Sequence, residues 1–312
     1  MQSTPNPAAA LEAALLDRAR GTLLGLAVGD ALGTTLEFSR RDAHPLHTEM
    51  TGGGPFRLAP GVWTDDTSMA LALAENLVEH PGFEPRDLMG RFLAWWREGA
   101  YSPTSTCFDI GIATREALAR YERDGDPFAG TTDPRSAGNG SLMRLAPAVL
   151  VALDDAGEVR RIAEAQSRTT HATPQAVEAC ALLAGMMREA ILGAPRAQVL
   201  APRLWEGDAA IAAIAEGTWR GRSREAIRSS GYVVHTLEAA LWAVERTESF
   251  EEALVLAVNL GDDADSVGAV TGQLAGAIYG LRGIPPRWLA PLAWRERLTA
   301  AADALVGARV RA

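Results

Sequence analysis

From about Leu11 the chain reads as helix. Alanine, leucine and arginine dominate, and apolar residues recur three and four positions apart, the spacing that lines one helix face. The pattern is clearest over residues 71–78, 88–96, 176–192 and 253–260. Strand-like alternation is scarce. Gly and Pro collect between the periodic segments, as at Gly52-Gly53-Gly54-Pro55, Asp124-Gly125-Asp126-Pro127, Asp133-Pro134 and Ile284-Pro285-Pro286. No fixed-period repeat or low-complexity linker divides the text. The expectation is all-α: residues 1–10, rich in Pro and Ala, as a loose tail, and residues 11–312 as one domain of ten or more helices.

Two predicted helices carry glycine every fourth residue. Gly21, Gly25, Gly29 and Gly33 form one row, and Gly268, Gly272, Gly276 and Gly280 form the other. A glycine inside a helix costs about 1 kcal/mol relative to alanine. A row on one face therefore needs compensation, and close backbone approach between helices supplies it. The two helices are expected at the centre of the bundle, against each other.

Composition narrows the chemistry. The 312 residues include 47% hydrophobic and 22% charged residues, a globular balance. The formal charge of −9 disfavours binding to a nucleic-acid backbone. All 30 basic residues are Arg, which excludes Schiff-base, P-loop and kinase-type lysine chemistry. Any bound phosphate must be held by Arg, backbone N–H groups or metal ions. Cys107 and Cys180 are too few for a disulfide framework or a four-cysteine zinc site, and fit a reducing cytoplasm. The N-terminus lacks the pattern of a signal peptide, and the uncharged run over residues 266–281 is short for a membrane span. Nothing in the sequence sets an oligomeric state, and a monomer suffices.

The sharpest chemical signal is a pair of acidic clusters far apart in sequence. Trp63-Thr64-Asp65-Asp66-Thr67-Ser68 precedes one apolar helix, and Gly261-Asp262-Asp263-Ala264-Asp265-Ser266 precedes the second glycine-rich helix. Taken singly, each reads as a helix start, with Thr64 or one of the second-cluster aspartates as the N-cap. Taken together, both lead into helices too apolar to be exposed. Carboxylates converging on a buried site must be neutralised, and hard divalent cations bound by oxygen ligands do that. Glu37, Asp65, Asp66, Asp263 and Asp265 nearly balance two divalent ions, with Thr64 and Ser266 as neutral oxygen ligands. Two Mg²⁺ or Mn²⁺ ions are expected.

Seven motifs in order extend the picture. They are Gly25-Leu26-Ala27-Val28-Gly29-Asp30-Ala31-Leu32-Gly33 with Glu37 following, Trp63-Thr64-Asp65-Asp66-Thr67, Cys107-Phe108-Asp109-Ile110-Gly111 and Gly138-Asn139-Gly140-Ser141-Leu142-Met143-Arg144. After them come Thr170-His171-Ala172, Gly231-Tyr232-Val233 with Thr236-Leu237, and Asp263-Ala264-Asp265-Ser266. With these the chain resembles the ADP-ribosylglycohydrolases, the group that includes dinitrogenase-reductase-activating glycohydrolase. The resemblance implies an all-α, orthogonal multi-helix bundle around a dinuclear metal site. It implies Thr64, Asp65, Asp66, Asp263, Asp265 and Ser266 as metal ligands and Glu37 as an acidic residue beside them. It also implies hydrolysis of the glycosidic bond at the ribose C1″, releasing ADP-ribose from a modified protein side chain.

Within that resemblance Asp66, Glu37 and Asp109 are the candidate catalytic carboxylates. Asp109, read otherwise as a carboxylate early in an apolar helix, suits a guanidinium partner and tilts the substrate toward ADP-ribosylarginine over serine or O-acetyl linkages. Gly138, Asn139, Gly140 and Ser141 form a turn that would present N–H groups to the diphosphate at a helix start. His171 and Tyr232 are expected to contact the ligand, Tyr232 by stacking on adenine or else as core. Arg144 could hold a phosphate or a carboxylate. The remaining histidines, Cys107, Cys180, Trp95 and Trp96 read as structural, and Arg40-Arg41, Arg160-Arg161, Asp154-Asp155 and Glu251-Glu252 as solvated faces. Asp262 stands where many relatives have Gly, and Ser266 where many have Thr; Ser keeps the hydroxyl ligand. A terpene-synthase-like reading, also Asp-rich and Mg²⁺-dependent, is disfavoured by 6% aromatic content. A His-Asp phosphohydrolase is excluded by the lack of a His-Asp pair. A non-enzymatic relative would not need the full acidic set.

Overall fold

The computed structural model describes residues 7–308, and among them there are α-helices and short 3-10 turns but no strand. The helices are α1 (Pro7–Gly33), α2 (Asp65–Glu79), α3 (Pro85–Glu98), α4 (Ile112–Asp124), α5 (Ala146–Leu150), α6 (Ala156–Thr170) and α7 (Pro174–Ile191). They continue with α8 (Arg196–Val199), α9 (Ala209–Ala215), α10 (Val233–Glu245), α11 (Phe250–Val258), α12 (Ala264–Tyr279), α13 (Pro286–Leu289) and α14 (Arg295–Ala308). Helix α1 starts four residues earlier than the sequence suggested, so residues 7–10 of the expected tail are helical; residues 1–6 lie outside the described residues. None of these helices is long and apolar enough to cross a membrane.

The glycine rows meet. A Cβ built on Gly21 would lie 2.5 Å from the Gly276 carbonyl oxygen, and one on Gly33 2.5 Å from the Asp265 Cα. Gly25 faces Gly272 and Gly29 faces Gly268 at equally forbidden range. The register runs in opposite directions along the two chains, so α1 and α12 are antiparallel. Alanine at these positions would push the helices apart, and their close packing is what the glycines make available. Helices α7, α10 and α11 pack on α12, while α14 and α2 pack beside α1. Leu23, Leu26, Val28, Leu71, Val267 and Leu274 are fully buried in the resulting core.

Several helix starts follow local sequence chemistry. Asp155 Oδ1 accepts from the N–H of Gly157 and Glu158 to open α6, Thr173 Oγ1 accepts from Ala176 N to open α7, and Ser249 Oγ accepts from Glu252 N to open α11. Helices α2 and α12 depart from this rule. Neither Thr64 nor Asp263 caps its own helix with its side chain, and the expected N-caps are absent because these oxygens are engaged elsewhere.

Two further expectations are corrected. The helix expected to start directly after the 138–141 turn does not: Asn139 to Arg144 form turns, and the short α5 begins at Ala146. Arg41 is no solvated charge. Its guanidinium donates to the carbonyls of Leu260 (3.2 Å) and Ile227 (2.6 Å) and to that of Arg224. It thereby ties the segment after α1 to the chain leading into α12.

Candidate metal centre and substrate cleft

Antiparallel pairing of α1 and α12 puts the C-terminus of one beside the N-terminus of the other. Asp30, on the last turn of α1, then reaches the start of α2. Its Oδ1 accepts from Thr64 N (2.9 Å) and Thr64 Oγ1 (3.0 Å), and its Oδ2 from Thr67 N (3.0 Å) and Thr67 Oγ1 (2.6 Å). A carboxylate from another helix thus does the capping, and three helix ends converge. The first glycine-rich motif contains Asp30, and its signal in the sequence is that it is the single charged residue between Gly21 and Gly33.

Asp65 and Asp66 occupy the first turn of α2, and Asp265 and Ser266 the first turn of α12; all four are buried. Asp66 Oδ1 accepts from Ser266 Oγ (3.2 Å), and Asp265 Oδ2 from Thr64 Oγ1 (3.4 Å). The two clusters, some 200 residues apart in sequence, are therefore directly bonded. Asp263 is half-buried and accepts from Asn139 Nδ2 at 2.6 Å.

Glu37 follows α1 in a turn pinned from both sides. Phe38 N donates to Asp262 O (2.7 Å), and Asp262 N returns a bond to Ser39 O (2.8 Å). Phe38 (φ 58°) and Asp262 (φ 61°) both sit in the left-handed region, as does Asp109 (φ 59°). Strain of this kind at non-glycine residues clusters at functional sites. Asp109 lies in the loop before α4 rather than early in a helix, and that loop brings it to Glu37 and Asp265. Ligand oxygens of Glu37, Asp109 and Asp265 lie within 4.8 Å of one another, as do those of Asp30, Asp66 and Asp265.

Seven carboxylates in so small a volume repel one another. Burial, followed by the charges of Asp109 and Asp263, pushes Glu37 up to about 9. Burial, then Asp30 and Asp263, pushes Asp109 up to about 7. Asp30 and Asp263 are each raised by burial to about 6 against the hydrogen bonds they accept. Asp65, Asp66 and Asp265 are raised well above the usual range, again by burial first and by neighbouring carboxylates second. Two helix N-termini offset little of this, about half a positive charge each. Glu37 Oε2, Asp66 Oδ2 and Asp265 Oδ1 are buried with no hydrogen-bond partner. Orphaned anionic oxygens converging from separate elements, with hydroxyls among them, are the donor set of a hard divalent cation.

Beside the cluster opens a cleft of about 570 Å³, whose lining includes Glu37, Asp65, Asp109, His171, Asp263 and Asp265. Gly138, Asn139, Gly140, Gly231 and Asp262 also line it.

Several residues are placed differently from expectation. Ser141 is fully buried and its Oγ pairs with Ser167 Oγ (2.8 Å), so its side chain turns away from the cleft. Asn139 spends its amide on Thr236 Oγ1 (2.9 Å) and on Asp263, so it positions a carboxylate. The turn at 138–141 does not open a helix, which removes the expected helix-terminal seat for a diphosphate. Tyr232 is half-buried outside the cleft lining; its hydroxyl donates to Gln175 Oε1 (2.7 Å) and its ring meets His235 edge-on. Arg144 is wholly buried and bonds Gln166, Thr169 and Thr170, so it takes neither of the two roles considered for it.

The profile of the family described as ADP-ribosylglycohydrolase matches residues 11–312. The chain is 48% identical to ADP-ribosylarginine hydrolase Tri1 of Pseudomonas putida (strain GB-1), over 93% of this chain and 78% of that protein. It is 37% identical to the ADP-ribosyl-[dinitrogen reductase] glycohydrolase of Rhodospirillum rubrum, over 88% and 90% respectively. A solved structure described as an ADP-ribosylglycohydrolase-related protein complex superposes with a TM-score of 0.85 at 48% identity, covering 95% of this chain and 99% of that one. Fold, acidic cluster and sequence agree, and the chain belongs to the ADP-ribosylglycohydrolase family.

Proposed function

We propose that this protein hydrolyses the N-glycosidic bond at the ribose C1″ of ADP-ribosylated arginine side chains, releasing ADP-ribose with the help of two Mg²⁺ or Mn²⁺ ions. The observation that carries it is the Glu37–Asp109–Asp265 group beside the cleft, set against the Asp30–Asp66–Asp265 group below. Asp265 is common to both, which supports a two-ion centre; Thr64, Asp65, Asp66, Asp263, Asp265 and Ser266 are the ligands that the family resemblance implies. Such ions would supply positive charge to the cluster and a Lewis acid for the ribose diol and for water.

The chain's own residues do the rest. Glu37 and Asp109 share the wall where the scissile bond would lie, and without metal burial, joined at Glu37 by the Asp109 charge, raises both carboxyls, Glu37 the further. A protonated member can protonate the departing guanidine, and the ionised member can draw a proton from the attacking water. Asp66, the third candidate, is bonded to Ser266 beneath and better suited to holding charge. An Asp109 carboxylate facing the cleft can accept two parallel N–H bonds from a guanidinium, and the name of the Pseudomonas relative supports arginine as the modified residue. The substrate partner would be an ADP-ribosylated protein, with free ADP-ribose as product. A cytoplasmic setting is supported by the unpaired state of Cys107 and Cys180.

The test is a side-by-side hydrolysis assay on arginine-, serine- and acetyl-linked ADP-ribose, with Mg²⁺, with Mn²⁺ and with excess chelator. Release from the arginine linkage with either metal, and none with chelator, is expected. Full activity in chelator would overturn the metal requirement, and preference for another linkage would overturn the substrate.

A further inference from the structure

Arg144 is a fully buried guanidinium with no carboxylate bonded to it, an unusual and costly arrangement. Nη1 reaches Met69 Sδ (3.8 Å), and its other bonds go to neutral oxygens at the end of α6. Nε donates to Gln166 Oε1 (2.9 Å), and Nη2 donates to Gln166 O (2.9 Å), Thr169 Oγ1 (3.2 Å) and Thr170 Oγ1 (2.9 Å). The guanidinium also lies over the Phe92 ring, 4.6 Å from its centre.

An arginine only donates, so both threonine hydroxyls must accept from it and each keeps its own proton to give. Thr169 gives its proton to Gln166 O at 2.7 Å. Thr170 Oγ1 lies 2.8 Å from His171 Nδ1. Arg144 fills one lone pair of that oxygen, and His171 Nδ1 is the acceptor found for the Thr170 proton, so the proton goes to Nδ1, which is then the unprotonated nitrogen. The imidazole proton then sits on Nε2.

That nitrogen faces the cleft. His171 lines it, and its Nε2 edge lies against Gly138 and Gly140, where an added Cβ would come within 3.3 and 3.1 Å of Nε2. A Cβ on Gly140 would stand 2.7 Å from His171 Cε1. The backbone is clamped as well: His171 N donates to Ser167 O (2.7 Å), and Ser167 Oγ donates to His171 O (2.8 Å). Burial, and then the Arg144 charge, hold the imidazole neutral, down at about 3.

We propose that Arg144 and Thr170 are positioning residues that lock His171 as a permanent Nε2–H donor into the cleft. His171 thereby binds an acceptor oxygen of the ligand, of phosphate or ribose type, and takes no part in moving protons. The ligand's identity rests on the ADP-ribose reading of the cleft, but the tautomer does not.

The experiment is long-range proton–nitrogen NMR on the full chain labelled with ¹⁵N-histidine, free of ligand. The His171 signals are assigned by their loss in His171→Gln. Nε2 protonated and Nδ1 bare is the expected state, and an Nδ1–H tautomer would overturn the proposal outright, whatever any variant does. Thr170→Val removes the hydroxyl at nearly constant shape, and Thr170→Ser restores it. The valine variant should show mixed tautomers and bind ADP-ribose roughly tenfold more weakly, the worth of one good hydrogen bond, while the serine variant returns to the parent in both. Unchanged tautomer and affinity in the valine variant would also overturn it. Failure of the parent to bind ADP-ribose, with the tautomer intact, would count against the proposed function and leave the lock standing.

Discussion

Thr64, the residue before α2, donates two hydrogen bonds to one carboxylate oxygen of Asp30 in the last turn of α1. The last turn of α1 thereby sets where α2 begins, and with it where Asp65 and Asp66 stand. Asp30→Ala would leave the N–H groups of Thr64 and Thr67 buried without acceptors. A loss of about 2–3 kcal/mol in unfolding free energy is expected, together with loss of metal-dependent stabilisation. Chemical denaturation with and without Mg²⁺ checks both. Parent-like stability would mean that α2 is placed by packing alone.

The glycine rows make a prediction with a built-in control. Gly29→Ala gains helix propensity but drives a Cβ into the backbone of Gly268. Strain from such overpacking outweighs the gain, and a net loss of about 2 kcal/mol is expected. Gly90 lies inside α3 on an exposed face, with open space where its Cβ would be. Gly90→Ala should stabilise by about 0.5–1 kcal/mol. Equal effects at the two sites would mean that the rows are incidental to packing.

The sequence made some of this visible and hid the rest for definite reasons. Helical periodicity, the glycine rows and the paired acidic clusters are local patterns with one physical reading each, and α2, α3, α7 and α12 follow from them. What caps α2 was hidden because the acceptor, Asp30, comes from another helix. Asp109 looked like a helix-start carboxylate because nothing in Phe108-Asp109-Ile110 shows that its φ is positive. Ser141, Asn139 and Arg144 share one motif, yet one side chain turns to α6, one holds Asp263 and one holds the Thr170 end of α6. Which way a side chain faces in an irregular turn is a tertiary property, and a motif match does not contain it.

Asp65 and Asp263 test the centre directly. Asp65→Ala and Asp263→Ala should each reduce hydrolysis by at least a thousandfold, an effect of roughly 4 kcal/mol on the barrier. Each should also leave the metal-free protein at least as stable as the parent, because removing one buried carboxylate relieves repulsion. Turnover and unfolding, measured on the same preparations, separate the two effects. Parent-like rates in either variant would remove that residue from the site.

Stability should depend on pH in opposite ways with and without metal. Without metal, Glu37, Asp109 and Asp263 have folded pKa values of about 9, 7 and 6, above the value near 4 of an unfolded carboxylate. The folded chain then holds more protons than the unfolded one, so stability falls as pH rises from about 4 through about 9. Chelated protein should therefore unfold at a higher temperature at pH 6 than at pH 9. In saturating Mg²⁺ the carboxylates are neutralised by the ions, protons compete with metal, and the trend should flatten or reverse. Binding at a hundred times its dissociation constant would add about 2.7 kcal/mol. Melting curves across pH in chelator and in Mg²⁺ check this, and identical slopes would mean that no ion enters the cluster.

Asp109 decides the linkage. A guanidinium offers paired N–H donors to a carboxylate, whereas a serine-linked or acetyl-linked ribose offers an ester or ether oxygen with nothing to give. Asp109→Ala should therefore lower kcat/KM for the arginine linkage by about a hundredfold, through both lost binding and lost proton transfer. Asp109→Asn keeps the shape and one acceptor oxygen but cannot ionise, and should recover affinity before it recovers rate. For a serine linkage only the proton-transfer part applies, so the loss should be smaller by about the tenfold that one charge-assisted pair is worth. Rates on both substrates for the parent and the two variants give the comparison. Equal losses on the two linkages would make Asp109 a proton-transfer group only and leave the guanidinium to be recognised elsewhere in the cleft.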